Sequence, residues 1–280
     1  MTKEQSGQHS IQRESYRVGF TGGLGYQLAG IIDRPIRDDE IAATAVFSHC
    51  FTCNKDLKAI VRISRALSTL GIAVLRYDMT GLGGSDGDFS HTNFSTNLGD
   101  LRAAIDFTTR ELGGVTGLIG HSFGGAATLA IASETSQATG QTDRAIPVAI
   151  TLAAPSDTQH LATLLANMNP EIEMQGSGLV SIGGRKWRIT KEMLEDFRTH
   201  ALPNLIAKIA SPTLIFHSPC DETVSYDHAL RIMGLIQGQT AHAVNPSLIS
   251  LLGSDHLMTS PSTVIDWVAE TTAAFLKHID

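Results

Sequence analysis

The sequence predicts an α/β fold in which a mostly parallel sheet is covered by helices on both faces. Short, nearly continuous apolar runs such as Ala43 to Phe47 and Ile72 to Tyr77 have the character of strands buried on both sides. Amphipathic helical stretches alternate with them, as a parallel sheet requires. A third observation is a strand, Val115 to Ile119, that turns at once into a helix through Gly120-His121-Ser122-Phe123-Gly124. Backbones approach closely at such a turn, and a Cβ on either glycine would collide.

In chain order, Tyr16 to Phe20 and Tyr26 to Ile32 flank Gly22-Gly23 and predict an antiparallel hairpin at a sheet edge. After the polar loop Pro35 to Glu40, the strand Ala43 to Phe47 runs into Ser48-His49-Cys50-Phe51-Thr52. Asp56 is placed to cap a helix whose stripe is Ile60, Ile63, Leu67 and Leu70, with Gly71 ending it. The strand Ile72 to Tyr77 leads into a glycine-rich loop, Asp78 to Asp88, and Asn93 to Leu112 is amphipathic. Helix Phe123 to Ser133 follows the tight turn. Ala145 to Ala153, Pro212 to His217 and Leu248 to Leu252 complete eight strands, with helices at Tyr226 to Ile236 and Ser262 to His278.

The alternation breaks between Ala154 and Ser211. There Leu161 to Met168 and Lys191 to Phe197 have helical spacing. Leu179 to Ile189 predicts a hairpin turning at Gly183-Gly184, with Val180 and Ile182 facing Trp187 and Ile189. The 280 residues are therefore expected to form one domain, 1–280, with an inserted cap at about 157–205 over the C-terminal edge of the sheet.

An apolar fraction of 42% suffices for a core, and a net charge of −7 argues against nucleic acid or an anionic membrane as partner. Three cysteines, an odd and sparse set, suggest a reducing compartment. Met1 to Ser15 is polar, lacks the apolar core of a signal peptide and is expected to fray. No apolar run reaches membrane-spanning length, so the expectation is a cytoplasmic protein.

The turn around Ser122 matches the G-x-S-x-G nucleophile elbow, with a helix N-terminus behind it that favours negative charge. A serine hydroxyl needs a histidine base, and that base a carboxylate. Loops at strand C-termini supply both in the order Ser122, Asp221, His256. Glu222 competes with Asp221, but a strand end presents one of the two, and the Asp-x-x-Val setting favours Asp221. Asp255 adjoins His256 and is expected to bond backbone or solvent. Of the eleven histidines, His121 and His217 have structural settings, and His160, His228 and His278 need no special role. Two backbone N–H groups must face the developing oxyanion. One is assigned to Phe123 and the other to Phe51, with Cys50 as the fallback.

Over essentially its whole length the chain resembles the α/β-hydrolase superfamily. The resemblance rests on the elbow, the ordered triad, the His49 turn and the Asp78-Met79-Thr80-Gly81-Leu82-Gly83-Gly84-Ser85 loop, which is similar to D-x-x-G-x-G-x-S. Cys50 stands where that superfamily commonly has glycine. More narrowly, Ser48-His49-Cys50-Phe51-Thr52-Cys53-Asn54-Lys55-Asp56 resembles a bacterial subgroup whose members often carry a C-terminal OsmC-like domain. This sequence ends at Asp280 after the last hydrolase helix, so either a stand-alone relative or a partner domain outside it is expected. The resemblance implies an esterase-like serine hydrolase acting on a small-molecule acyl substrate with no cofactor. A peptidase or amide hydrolase, and a non-catalytic acyl-ligand or partner-binding module, are the alternatives. Gly81-Leu82-Gly83-Gly84 has its third glycine misplaced for dinucleotide binding, and no helix begins there. Cys50 and Cys53 lack the second cysteine pair of a zinc site and are expected to be small residues beside the oxyanion loop, with Cys220 a packing residue. Met168, Met174, Met193 and Trp187 either line an acyl pocket or form the core of the cap.

Overall fold

The computed structural model describes residues 11–137, 148–238, 246–261 and 263–278. Outside them lie residues 1–10 of the tail expected to fray, the first three residues of the strand expected from Ala145, and Ser262, the expected first residue of the last helix. β1 Arg13–Thr21 and β2 Gln27–Pro35 form the expected antiparallel hairpin, but Arg13 to Ser15, expected to fray, pair with Pro35 to Asp33 in it. There follow β3 Ala43–Ser48, α1 Lys58–Thr69, β4 Ile72–Tyr77, α2 Phe94–Leu112, β5 Gly117–His121, α3 Phe123–Gln137 and β6 Val148–Leu152. Before the next strand of the main sheet come α4 Gln159–Met168, α5 Glu171–Gln175, β7 Ser177–Ile182, β8 Arg185–Thr190, α6 Lys191–Thr199 and α7 Leu202–Ile206. Then come β9 Thr213–His217, α8 Asp227–Gln237, β10 Ser247–Ser250 and α9 Thr263–Lys277.

Eight strands pair in the order β1-β2-β4-β3-β5-β6-β9-β10. From β4 to β10 all pairings are parallel. The apolar runs are continuous because successive side chains enter different cores. Phe47, Val74, Ile119 and Ile150 pack with α1 and α9. Their neighbours Val46, Leu75, Leu118 and Ala149 pack with α2 and α3 on the other face. The segment between β6 and β9 joins that second core: Leu165, Val180, Met193 and Phe197 are buried in it. β7 and β8 form a separate two-stranded sheet with Val180 opposite Trp187, but Ile189 lies opposite Gly178 and Ile182 opposite Arg185.

One helix start differs from expectation. Asp56 does not cap α1, whose N-cap is Leu57 without a side-chain bond. Asp56 is drawn instead to Arg76, a guanidinium buried in β4 that also pairs with Asp33 at 2.8 Å. A buried cation left without carboxylates would cost more than an uncapped helix. Asn93 does cap α2, in a reciprocal capping box with Thr96. Among the described residues no helix is long and apolar enough to cross a membrane.

Candidate active site

The parallel strands bring their C-terminal ends to one rim, and the predicted residues meet there. Ser122 sits between β5 and α3 with φ of 54°, a left-handed conformation unusual for a residue with a Cβ. Its N–H donates to Leu152 O at 2.8 Å, and its carbonyl accepts from Gly125 and Ala126. A Cβ on Gly120 would meet the backbone of Gly124, and one on Gly124 the carbonyls of Ser48 and His49. Both glycines are therefore demanded by sterics.

Asp221 follows β9 and His256 follows β10. His256 Nε2 lies 3.0 Å from Ser122 Oγ, and Nδ1 lies 2.8 Å from Asp221 Oδ2. An ionised carboxylate only accepts, so Nδ1 carries the proton and the Nε2 lone pair faces the serine hydroxyl. The other Asp221 oxygen accepts the N–H groups of Thr223 at 2.9 Å and Val224 at 3.0 Å. Burial pushes the Asp221 pKa up, but the bonds from His256, Val224 and Thr223 outweigh it and hold the carboxyl below its ordinary range. Asp255 turns away and accepts from the N–H and hydroxyl of Thr259. Glu222 is exposed. His217 is buried, donates to Val224 O at 2.8 Å, and is held below the ordinary histidine range by burial.

After β3, His49 is fully buried. Its Nδ1–H donates to Cys50 O at 2.8 Å and its Nε2 accepts the N–H of Met79 at 3.2 Å. Burial holds it neutral, with its pKa lowered. The C=O of Cys50 and the N–H of Phe51 belong to one trans peptide and point in opposite directions. Anchoring the carbonyl thus sets the direction of the Phe51 N–H. Among the described residues, neither that N–H nor the Phe123 N–H has a hydrogen-bond partner. The Phe51 and Phe123 rings both pack on Phe197 of α6, at 6.0 and 5.3 Å between centroids.

Two cysteine expectations are corrected. Cys50 and Cys53 form a disulfide across Phe51 and Thr52, so they are not merely small residues. The bridge also removes the basis on which the cysteine count suggested a reducing compartment. A tight turn, with Cys53 N–H donating to Cys50 O, brings the two together. Cys220 is exposed and does not pack in the core.

A cavity of about 650 Å³ opens over Ser122 and His256. Phe51, Phe123, Leu161, Leu164, Leu165, Met168, Ile182, Trp187, Val224 and Leu257 give it apolar walls. The methionine expectation divides: Met168 and Trp187 line the cavity, whereas Met193 is buried in the core and Met174 is 74% exposed. Asp157 and His160 also line it. Asp157 is engaged by the His160 N–H and by Arg231, and His160 lies 3.2 Å from Thr223 O. His228 accepts the N–H of Ser156. Sequence pattern did not single out His160, because no local motif marks a helix residue that borders a cavity. The amides of Gly81, Leu82, Gly84 and Ser85 are engaged inside the glycine loop itself. Among the described residues no group of three or more His, Cys, Asp or Glu side chains is placed to hold a metal ion.

The family model Hydrolase_4, described as serine aminopeptidase, S33, matches residues 41–201, which include Ser122 but neither Asp221 nor His256. No curated protein matches the chain. An esterase domain from a Rhodothermus marinus protein is 33% identical, with 95% of this chain and 98% of that one covered and a TM-score of 0.69. Est1E from Butyrivibrio proteoclasticus, solved with ferulic acid, is 24% identical, with 93% and 98% covered and a TM-score of 0.71. XC6422 from Xanthomonas campestris, described as an a/b serine hydrolase without lid, is 19% identical, with 94% of each chain covered and a TM-score of 0.61. The last two show the fold alone. With the family model spanning more than half of the sequence and a one-third-identical esterase domain spanning nearly all of it, this chain belongs to the Hydrolase_4 family of α/β-hydrolases and is a hydrolase.

Proposed function

We propose that the protein hydrolyses carboxylic esters or thioesters of an apolar acyl group through Ser122, His256 and Asp221. One observation carries the reading: a single imidazole is hydrogen-bonded to Asp221 on one nitrogen and to Ser122 on the other. Ser122 Oγ attacks the acyl carbon as His256 Nε2 takes its proton, and the carbonyl oxygen becomes an oxyanion. The free N–H groups of Phe51 and Phe123 stabilise that oxyanion. The imidazolium, countered by Asp221, gives its proton to the departing alcohol or thiol. Water, deprotonated by the same nitrogen, then attacks the acyl-enzyme and releases the acid.

The largely apolar walls favour an acyl chain, and the charged side chains among them are Arg185 and Asp157. An aminopeptidase must hold a free ammonium near the nucleophile. Among the described residues Asp157 is the one carboxylate lining the cavity, and it is already paired with Arg231 at 2.9 Å. That arrangement favours esters over peptides with a free amino terminus. The test is labelling by a fluorophosphonate probe, followed by turnover of p-nitrophenyl esters of graded chain length beside an aminoacyl p-nitroanilide. Labelling lost in Ser122→Ala, and kcat/KM rising beyond acetate, are expected. Turnover of the anilide alone, or full turnover by Ser122→Ala, would overturn the reading.

A further inference from the structure

His121 precedes Ser122 and ends β5, fully buried. Its Nε2 lies 2.8 Å from the main-chain oxygen of His256, 135 residues away. A carbonyl only accepts, so this nitrogen carries the proton. Its Nδ1 is buried with no hydrogen-bond partner. The His121 and His256 rings lie 5.2 Å apart.

The segment carrying His256 has no regular structure. It runs from the end of β10 at Ser250 to the start of α9 at Thr263. Most of its hydrogen bonds are internal, such as Ser254 N–H to Leu251 O, Met258 N–H to Asp255 O, and Thr259 to Asp255. Leu251 N–H ties its beginning to His217 O. Beyond that point, among the described residues, the His121 bond is the one hydrogen bond from the segment's main chain to the sheet. The other hydrogen bonds run through the His256 ring itself, to Asp221 and Ser122, while Leu251 and Met258 pack without direction in the core beneath.

We infer that His121 is a positioning residue of the hydrolytic site, holding the main chain of His256 so that one strand end sets nucleophile and base against each other. The inference rests on the roles proposed above for Ser122 and His256. Core packing at Met258 sets no orientation at His256, so a ring held in direction only by its own bonds can turn with its backbone, whereas an anchored main-chain oxygen leaves Nε2 aimed at Oγ. Misplacement by about 1 Å at a reacting group costs roughly 10²-fold. Burial, together with the neighbouring His256, lowers the His121 pKa to about 3, against weaker upward pulls from its own bond and from Asp221. The tether therefore stays a neutral donor and adds no second positive charge when His256 becomes imidazolium.

The test compares two amides. His121→Gln places an N–H near the position of Nε2, whereas the amide of His121→Asn stops near the position of Nδ1 and cannot reach the carbonyl. Wild-type labelling by a fluorophosphonate, absent in Ser122→Ala, is established first, so that failure of the hydrolase reading is recognised separately. Both variants are then assayed on p-nitrophenyl butyrate for kcat and KM from pH 5 to 9, with thermal melts. The expected result is kcat within about fivefold of wild type for Gln and about 10²-fold lower for Asn, with KM nearly unchanged in both. The acid limb of the Asn pH profile should keep its midpoint, because only the plateau depends on aim. Equal kcat in the two variants, Asn within threefold of wild type, or a moved acid limb would overturn the proposal. If Asn yields no folded protein, Gln decides alone: a loss of 10²-fold or more in a folded Gln variant overturns it, and near-normal kcat supports it.

Discussion

Replacing Asp221 by Asn turns one carboxylate oxygen into an amide nitrogen, and the surroundings dictate which one. Oδ1 accepts two backbone N–H groups, from Thr223 and Val224. An NH₂ placed there would face two donors, so the amide oxygen takes that position and the NH₂ faces His256. It then donates to Nδ1, which must give up its own proton. The imidazole is driven to the tautomer with hydrogen on Nε2, the nitrogen 3.0 Å from Ser122 Oγ. That nitrogen can no longer accept the serine proton, and the imidazolium loses its counter-charge. In a comparable serine-protease triad this change costs roughly 10⁴-fold in turnover, or about 5.4 kcal/mol of barrier. Asp221→Ala leaves both tautomers open, so Asn should be no more active than Ala. Asp255→Asn should cost ~10-fold or less, because Asp255 holds Thr259 and only shapes the loop. The assay is kcat on one activated ester across pH, with melting temperature as a check on folding. An Asp221→Asn enzyme within tenfold of wild type, or an Asp255→Asn enzyme equally impaired, would refute the reasoning.

Opening the Cys50–Cys53 ring, by Cys53→Ser or by dithiothreitol, should lower kcat ~10-fold or more with little change in KM. Thr52, inside the ring, has φ of 59°, a position a β-branched residue leaves once unconstrained, and the Phe51 donor moves with it. Full turnover by the reduced enzyme would exclude that coupling. Acid should destabilise the fold before its carboxylates titrate. His121, with a pKa of about 3, stays neutral when folded but takes a proton near pH 6.5 when unfolded. The unfolded state thus binds more protons between those values, and stability falls as pH falls. His256, Asp221 and His49 are the charged or titratable groups facing it. Between pH 7 and 5 this site alone should cost about 2 kcal/mol, and His49 acts in the same direction. Asp221 acts only at lower pH, because its stabilisation is lost as pH falls through a depressed pKa. Urea melts of wild type and His121→Gln at the two pH values measure the difference, and parallel losses would refute the assignment.

Local rules made the strands, the elbow and the order of Ser122, Asp221 and His256 legible in the sequence. Apolar runs must be buried, and only glycine fits where a strand meets its following helix within five residues. Parallel strands then deliver their C-terminal loops to one rim, whatever lies between them in the chain. Contacts between distant segments carried no such signature. Adjacency to His256 was enough to expect Asp255 to bond backbone or solvent, but only the fold names Thr259 as its partner. It presented Asp56 as a helix cap, whereas the guanidinium of Arg76, buried in the neighbouring strand, claims it. Cys50 and Cys53 close into a bridge because a turn brings them together, which spacing alone did not reveal. Met168 lines the cavity while Met193 fills the core, a division set by how the helices between β6 and β9 dock on α2 and α3. The bond from His121 to the His256 carbonyl is the clearest case. Its donor sits inside the most recognisable motif of the chain, but its acceptor is a main-chain oxygen, which no side-chain pattern can announce.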